Sequence, residues 1–386
     1  MEYRIAKAGR ITVVILAIIF VVGGGAFIVS SFAAGAKTPL FFFILGLILA
    51  ATGVYSYLDT MKTKLTIDDD SITLQKAFST RSLLRSDIKG YRQGEKNIVF
   101  IIPKEGAGKQ IQLSGYFERR KEIMVWLKKN YPDVDTIEYE AETKTILANE
   151  NFGVTEGERE NNLAKARKVS TWASTVGIGI SFWVFIYPKP YEPLLIALAI
   201  LPWVGVYITW YFKGLVRFDT RKKSAWPSVS FVLYFPALAL LLRAILDYDL
   251  YIFGKIWTPL LASTLIVTLV FFTICKKAVG EEKSKALVMG VGALIAGCYS
   301  FGLIVLSNCY YDSSKPDSFQ VQVTGKHITT GKHTSYYLTL SPWGRFSEEK
   351  DQSVRRSFYE EVQTGQSLHV HLHEGRWHIP WYFVME

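Results

Sequence analysis

The chain has 386 residues, of which 49% are hydrophobic and 20% are charged, and its formal net charge is +10. This composition is apolar for a soluble protein, yet charged enough to leave room for soluble parts. The three cysteines, Cys275, Cys298 and Cys309, form no CxxC pair, which excludes a disulfide framework and a cysteine zinc site.

Seven apolar segments are long enough to cross a bilayer as helices, because a hydrocarbon core needs about 20 residues. These segments are residues 11–32, 38–57, 169–187, 193–212, 229–246, 257–275 and 286–307. The first resembles a signal peptide in its basic flank. Its length and the second segment close behind it predict a retained span instead.

Lysine and arginine alternate between the connections as the positive-inside rule requires. The basic segments hold Arg4, Lys7 and Arg10; Lys213, Arg217, Arg221, Lys222 and Lys223; and Lys276, Lys277, Lys283 and Lys285. The intervening connections hold only Lys37, Lys189 and Lys255. The pattern predicts a cytoplasmic N-terminus and, since seven is odd, an extracytoplasmic C-terminal region. Topology then accounts for much of the charge, and no nucleic-acid partner is predicted.

Arg243 is the one clear ionisable residue within the predicted spans. Ion-coupled and proton-coupled transporters usually carry carboxylates near the midplane, and none falls there in this sequence. Arg243 is predicted to extend its guanidinium to the outer interface, with a functional buried arginine as the alternative.

The hydrophobic period changes from helical to alternating after the second span. Two strands are predicted at 64–75, further extended structure at 81–93, strands at 97–103 and 109–113, and a helix at 116–130. Asp68, Asp69 and Asp70 form an acidic turn between the first two strands, and Pro132 ends the helix.

This succession of strands closed by one helix resembles the bacterial form of the pleckstrin-homology domain. The resemblance covers residues 62–131 and is carried by LTIDDDSITL at 65–74, RSLLRSDIKGYR at 81–92 and the helix. It implies a cytoplasmic interaction domain that is attached to a protein of the bacterial plasma (inner) membrane. The segments that carry the resemblance include no catalytic residues.

The acidic turn argues against an inositol-phosphate site, because three carboxylates repel a phosphate. Residues 60–130 nevertheless hold fifteen basic and eight acidic residues. Two interpretations of this excess remain: a basic face that is directed towards anionic lipid, or a solvated basic surface without a partner. The candidate lipid or partner surface consists of Lys62, Lys64, Arg81 and Arg85. Besides the lipid bilayer, an unidentified protein and a second copy of the chain are the partners left open.

Residues 132–168 predict a helical connector that Gly153 interrupts. Thr155 is predicted to cap the second helix of the connector, with Glu156 and Glu158 in its first turn. A plain linker and a signalling lever are both compatible with this pattern.

Residues 312–386 predict a small β-rich domain with one helix at 353–364. Its strands are predicted at 319–325, 335–343, 368–375 and 377–384. All six histidines of the chain lie in this region: His327, His333, His369, His371, His373 and His378.

The side chains of His369, His371 and His373 are expected on one face of a strand, because strand side chains alternate. Imidazoles spaced in this way are ligands for zinc or copper, and they also titrate near neutral pH. A solvated strand face is the third interpretation. No other cofactor is predicted.

No Walker, GxSxG, HExxH or EF-hand pattern occurs, so no enzyme is predicted. The predicted fold is a seven-span α-helical membrane protein with a pleckstrin-like β-sandwich or barrel and closing helix in the cytoplasm and a small α+β domain outside. The predicted domains are 1–58, 60–131, 132–168, 169–308 and 312–386.

The predicted function is a non-enzymatic scaffold or signal relay between the outer and the cytoplasmic domain. A transporter or permease-like component is the alternative, and a membrane enzyme that uses the histidines is a remote third.

Overall fold

The computed structural model describes residues 1–32, 39–218, 223–275, 285–330 and 334–385. The chain divides into two compact units, Met1–Glu142 and Thr143–Glu386. Several basic residues used for the predicted topology, and one histidine, lie outside the described residues: Lys37, Arg221, Lys222, Lys276, Lys277, Lys283 and His333.

The described residues of the first unit form two antiparallel sheets, a helical hairpin and a closing helix. In chain order the elements are β1 Glu2–Arg4, α1 Lys7–Ser31, α2 Pro39–Lys62, β2 Lys64–Ile67, β3 Ser71–Gln75, β4 Thr80–Leu84, β5 Ile88–Gln93, β6 Val99–Pro103, β7 Ile111–Leu113 and α3 Arg120–Asn130. One sheet has the order β1-β2-β3-β4 and the other the order β5-β6-β7.

The N-terminal residues form a strand that the sequence did not predict. Tyr3 of β1 pairs with Leu65 of β2, and the terminal amino group donates to the Ile67 carbonyl oxygen at 2.7 Å. Since α1 and α2 lie between these strands in the chain, the helical hairpin is an insertion between two neighbours of one sheet. The structure thereby joins residues 1–58 and 60–131, predicted as separate domains, in one unit.

The core of this unit follows the predicted alternation. Four side chains of β2 and β3 point to one side and are nearly or fully buried: Leu65, Ile67, Ile72 and Leu74. Ile123 and Leu127 of α3 pack against the same core. Burial of these side chains by two sheets and a helix supplies most of the driving force for the domain.

Glycine sets the close approach of α1 and α2. A Cβ atom added to Gly24 would lie 2.5 Å from the Gly46 carbonyl oxygen, and one added to Gly53 would lie 2.9 Å from the Ala17 carbonyl oxygen. Small residues let helix backbones pack closely where the surrounding lipid provides no hydrophobic drive.

The second unit contains a helix bundle and a β-rich C-terminal domain, and α4 begins before the boundary between the units. The elements are α4 Val134–Ala148, α5 Glu156–Ile186, α6 Tyr191–Tyr211, α7 Ser230–Asp247, β8 Asp249–Leu250, α8 Trp257–Ile274, α9 Lys285–Tyr310, β9 Asp317–Thr330, β10 Thr334–Leu340, β11 Lys350–Val354, α10 Arg356–Glu361, β12 Ser367–His373 and β13 Trp381–Val384. Seven helices among the described residues are long and apolar enough to cross a membrane: α1, α2 and α5–α9.

The predicted cap of the connector is confirmed. Thr155 Oγ1 accepts a hydrogen bond from the Glu158 amide at 3.2 Å, and the Glu158 carboxylate accepts from the Thr155 amide at 3.4 Å. Gly153 has a φ of 153°, a backbone conformation that favours glycine. Beyond the cap, α5 is one uninterrupted helix, so the predicted boundary at residue 168 falls inside it.

Helix α7 packs against α5, α6 and α9. Glycines again permit the approach: a Cβ added to Gly302 of α9 would lie 2.6 Å from Leu240 Cβ, and one added to Gly177 of α5 would lie 3.0 Å from Val232 Cα.

The C-terminal sheet has the order β11-β10-β9-β12-β13-β8. Two of these strands, β8 and β11, were not predicted. The predicted helix at 353–364 is shorter in the structure, because residues up to Val354 pair with β10, and only Arg356–Glu361 are helical. Phe358 and Val362, within the predicted range, are buried.

Candidate functional site

The connection between α7 and α8 supplies an edge strand of the C-terminal sheet. Within β8, Asp249 pairs with Tyr382 and Leu250 pairs with Trp381 of β13. The Tyr251 amide donates to the Pro380 carbonyl oxygen at 2.7 Å. The sheet is therefore held by backbone hydrogen bonds to a segment that is covalently continuous with two helices of the bundle.

A second attachment is the side chain of Asn308, which lies near the end of α9 and is fully buried. Its Oδ1 accepts from the Trp377 amide at 2.8 Å, and its Nδ2 donates to the Ile379 carbonyl oxygen at 2.8 Å. The Asn308 carbonyl oxygen also accepts from the Arg376 amide at 3.0 Å. One side chain and its own carbonyl thus satisfy three backbone groups of the loop between β12 and β13.

Gly375 lets this loop approach α9. Its φ is 79°, and an added Cβ would lie 2.3 Å from the Ile379 carbonyl oxygen and 2.5 Å from Asn308 Nδ2. Glycine is required here for its left-handed backbone and for the absence of a side chain.

Asp312, just after α9, is the third attachment. Its carboxylate accepts hydrogen bonds from the Gly375 amide at 2.9 Å, the Trp381 indole at 2.9 Å and the Ser314 amide at 2.8 Å. Burial works to raise the pKa of this carboxyl, but these donors outweigh it and hold the pKa below its ordinary value. We refer to β8, Asn308, Asp312 and the loop 374–380 together as the junction.

The hydrogen bonds to Asp312 make the junction sensitive to acid. A carboxyl whose pKa is lowered by folding contributes stability above its unfolded value of about 3.9, and this stability is lost as the pH falls through the folded pKa. We expect Asp312→Asn to lower the thermal midpoint at pH 7 and to flatten the further loss between pH 5 and pH 2, about the range in which such a carboxyl titrates.

The measurement is the midpoint of thermal unfolding of the purified protein across that pH range. Asp317→Asn is the matched control, because Asp317 is exposed at the start of β9. A midpoint for Asp312→Asn that keeps the wild-type pH dependence would contradict the assignment.

A partly buried ion pair lies at the same end of the bundle. Arg243 Nε donates to Asp247 Oδ2 at 2.9 Å, a second Arg243 nitrogen contacts Asp247 Oδ1, and the Tyr191 hydroxyl donates to Asp247 Oδ2 at 2.6 Å. The side chains of Arg243 and Asp247 are 13% and 18% exposed. The Arg243 guanidinium is therefore paired within the protein with the carboxylate of Asp247, which lies one residue beyond the predicted end of the span.

Aromatic rings connect the ion pair with the junction. Tyr191 contacts Tyr310 with ring centroids 5.3 Å apart, and Tyr248 contacts Trp381 edge-on at 5.4 Å. Trp381 is also the indole that donates to Asp312. Packed aromatic pairs of this kind add specific contacts to the area that they bury.

Polar side chains strengthen the attachment of β8. Gln352 of β11 donates from Nε2 to Asp249 Oδ2 at 2.8 Å and accepts from the Tyr382 hydroxyl at 3.1 Å. That hydroxyl accepts from Lys350 Nζ at 2.6 Å. Burial lowers the pKa of Lys350 and raises that of Tyr382. The edge strand is thereby tied to the opposite edge of the sheet by side chains.

The structure stacks the strand histidines on aromatic rings of β13. His371 lies 5.4 Å from Phe383, and His373 lies 4.7 Å from Trp381, measured between ring centroids. His369 is exposed, with Nδ1 3.3 Å from Ser318 Oγ. Across the described residues, no group of three His, Cys, Asp or Glu side chains is close enough to hold a metal. Zinc or copper at these histidines stays a prediction.

The four residues of the candidate lipid or partner surface lie at different elements of the first unit and make separate contacts. Lys62 ends α2, and Lys64 pairs with Glu2 at 2.9 Å. Arg81 donates to the Gln110 carbonyl oxygen at 2.9 Å. Arg85 directly follows β4, four residues and about 13 Å further along the chain than Arg81. It donates to the Asp69 carbonyl oxygen at 3.0 Å. Their role as a common surface stays a prediction.

A cavity of about 250 Å³ lies between α6, α7, α8 and α9. The described residues that line it are uncharged, and most are apolar. Two of its polar groups are already paired: Trp203 Nε1 donates to the Tyr299 hydroxyl at 2.8 Å, which donates to the Ala199 carbonyl oxygen at 2.7 Å. The cavity suits an uncharged, apolar occupant.

Sequence reasoning missed the junction almost entirely. A signal for Asn308 was present, because a lone asparagine near the end of an apolar helix needs a buried partner. Its partners lie about 70 residues further along the chain and carry no comparable mark.

Seven apolar helices and two β-rich parts define the class: they are consistent with a multi-pass membrane protein that carries folded domains outside its bundle. No protein-family model matches the chain, and neither does a curated protein or a solved structure.

Proposed function

We propose that this protein is a non-enzymatic relay that couples an extracytoplasmic C-terminal domain to a cytoplasmic interaction domain through a bundle of membrane-spanning helices. The junction is the observation that carries the proposal. A ligand that shifts the C-terminal sheet also shifts β8, and β8 is continuous with α7 and α8.

The sidedness rests on the charge distribution. The order of the spans predicts that the basic connections face one side of the membrane. Their described basic residues include Lys7, Arg10, Lys213, Arg217 and Lys223. The junction lies at the C-terminal ends of α7 and α9, which the same order of spans assigns to the other side of the membrane. Positive-inside topology then makes the first side cytoplasmic.

At its cytoplasmic end the proposed relay has a pleckstrin-like interaction domain of the same chain. Sheets of four and three antiparallel strands with a closing helix support that assignment. The helical hairpin inserted between β1 and β2 ties the domain to the bilayer at its first strand connection.

Helix α4 is the covalent link by which the relay continues. In the first unit, Arg92 donates to Asp135 at 2.7 Å and to Glu138 at 2.5 Å, which fixes the start of α4. In the second unit, Ile146 near the end of α4 is fully buried among apolar side chains. A helix held at both ends transmits displacement better than a flexible linker does.

Hydrogen exchange of the full-length protein in lipid nanodiscs tests the relay. Tyr251→Pro removes the amide that donates to the Pro380 carbonyl oxygen and disrupts the attachment of β8 to β13. We expect faster exchange in the C-terminal sheet, at the neighbouring ends of α7 and α8, and in α4. Gly365→Ala is the control, because it perturbs a turn with open space around it. Exchange changes confined to the C-terminal sheet would contradict the relay.

Reporters fused at the two ends of the chain test the sidedness separately. The relay requires that they face opposite sides of the membrane.

The cavity supports a second candidate, transport of an uncharged apolar molecule across the bundle. Transport predicts uptake of such a molecule by vesicles that contain the protein, whereas the relay predicts none.

A further inference from the structure

Two exposed aromatic side chains flank the helical hairpin at the base of the first sheet. Phe78 lies in the turn between β3 and β4 and is 65% exposed, and Tyr116 lies before α3 and is 70% exposed. Single exposed apolar side chains are common on protein surfaces, so it is the position of these two beside membrane-length helices that is informative.

The turn that carries Phe78 is fastened to α2. The Phe78 ring is stacked on Tyr55 of α2 with centroids 5.4 Å apart. The Ala77 amide donates to Asp59 Oδ1 at 3.3 Å, and Lys76 Nζ lies 3.8 Å from Asp59 Oδ2. A hydrogen bond, an ion pair and a ring contact therefore hold the turn alongside the helix.

Tyr116 lies against the start of α1. The Ala6 amide donates to the Tyr116 carbonyl oxygen at 2.8 Å, and a Cβ added to Gly9 would lie 3.2 Å from Tyr116 Cβ. The two aromatic residues thus stand beside the two helices of the hairpin, at the end where the chain enters the sheet.

The packing of the hairpin gives the depth of Phe78. The contacts of Gly24 with Gly46 and of Ala17 with Gly53 set an antiparallel register in which Tyr55 is level with residue 15. That level is about 7 Å further into the apolar segment than Arg10, at 1.5 Å per residue. Phe78, stacked on Tyr55, is therefore at the depth where hydrocarbon meets headgroups.

Basic residues surround the same base. Lys7 and Arg10 lie in the first turns of α1, Lys62 ends α2, and Lys76 precedes Phe78 and lies near the Asp59 carboxylate. Cations at this level are attracted to anionic headgroups. Aromatic side chains between them match the composition of a membrane interface.

We propose that Phe78 and Tyr116 form an interfacial anchor with this basic rim, and that the anchor binds the anionic lipid of the leaflet from which α1 and α2 emerge. The proposal rests on the membrane crossing of α1 and α2 in the proposed function. The anchor holds the first sheet against the bilayer surface and fixes its orientation there.

Photo-crosslinking in the full-length protein tests the anchor. Benzoylphenylalanine is introduced singly at Phe78, Tyr116, Leu84 and Ile48, and the protein is irradiated in nanodiscs that contain phosphatidylglycerol. Leu84 is the matched control, because it is also an exposed apolar side chain but lies at the far end of the strand that follows Phe78. Ile48 is an exposed side chain within α2 and reports the span itself.

The expected result is a lipid adduct at Phe78 and Tyr116 with a yield several-fold above that at Leu84, and a strong adduct at Ile48. Adducts at Ile48 with only protein crosslinks at Phe78 and Tyr116 would overturn the anchor and leave the membrane crossing intact. A missing lipid adduct at Ile48 would overturn the crossing and the anchor with it.

Discussion

Gly375→Ala is expected to lower the free energy of unfolding of the C-terminal domain by about 3 kcal/mol or more. The added Cβ would lie 2.3 Å from the Ile379 carbonyl oxygen and within 2.6 Å of both polar atoms of the Asn308 amide. The loop must therefore move away from α9. The buried Asn308 amide then loses its hydrogen bonds to the loop, and a buried polar group without partners is destabilising. The measurement is the midpoint of thermal unfolding, followed by the near-ultraviolet signal of the tryptophans.

Gly365→Ala is the matched control for this substitution. Gly365 has a φ of 90°, as left-handed as that of Gly375, but open space surrounds the position where a Cβ would stand. Only the backbone cost of about 1 kcal/mol is expected there. Equal shifts for the two variants would show that the close approach of the loop to α9 contributes nothing.

The second large effect is expected at the partly buried ion pair of Arg243 and Asp247. Arg243→Leu leaves the partly buried Asp247 carboxylate without its cation and with the Tyr191 hydroxyl as a hydrogen-bond donor, and we expect the free energy of unfolding to fall by about 3 kcal/mol. Arg243→Leu combined with Asp247→Leu removes both charges, and it should be less destabilised than the single variant, because no unpaired charge stays buried. Thermal midpoints of the two single variants and the double variant complete the cycle.

The matched control is the pair of Arg356 and Glu360. It has the same four-residue spacing and a distance of 2.7 Å, but its side chains are 71% and 59% exposed. Water screens an exposed pair of this kind, so Arg356→Leu should have little effect on stability. A loss at Arg243 no larger than that at Arg356 would contradict the role assigned to burial.

The sequence predicted elements whose cause is local. Apolar length alone located the seven membrane-length helices, because a run of about 20 apolar residues has few other stable environments. The capping box at Thr155 and the alternation that buries Leu65 and Ile72 also depend on residues only a few positions apart. Helix and strand periods are readable in such short windows.

Elements that depend on distant partners were missed. The strand β1 at Glu2–Arg4 is too short to show a period, and it forms because β2 lies about 60 residues along the chain with a free edge. The strand β8 has two residues and exists only by pairing with β13. Asp247 was overlooked because it lies just past the apolar run, although its spacing from Arg243 is that of a helical ion pair.

The sequence by itself determined which parts of this protein are long apolar helices and where most of the longer strands lie. Hydrophobic period and charge are properties of neighbouring residues, so no tertiary contact is needed to read them. Tertiary structure alone decided that the N-terminus completes the first sheet and that the α7–α8 connection completes the C-terminal sheet. Backbone hydrogen bonds between strands join residues of any sequence separation, and their partners are chosen only when the chain has folded.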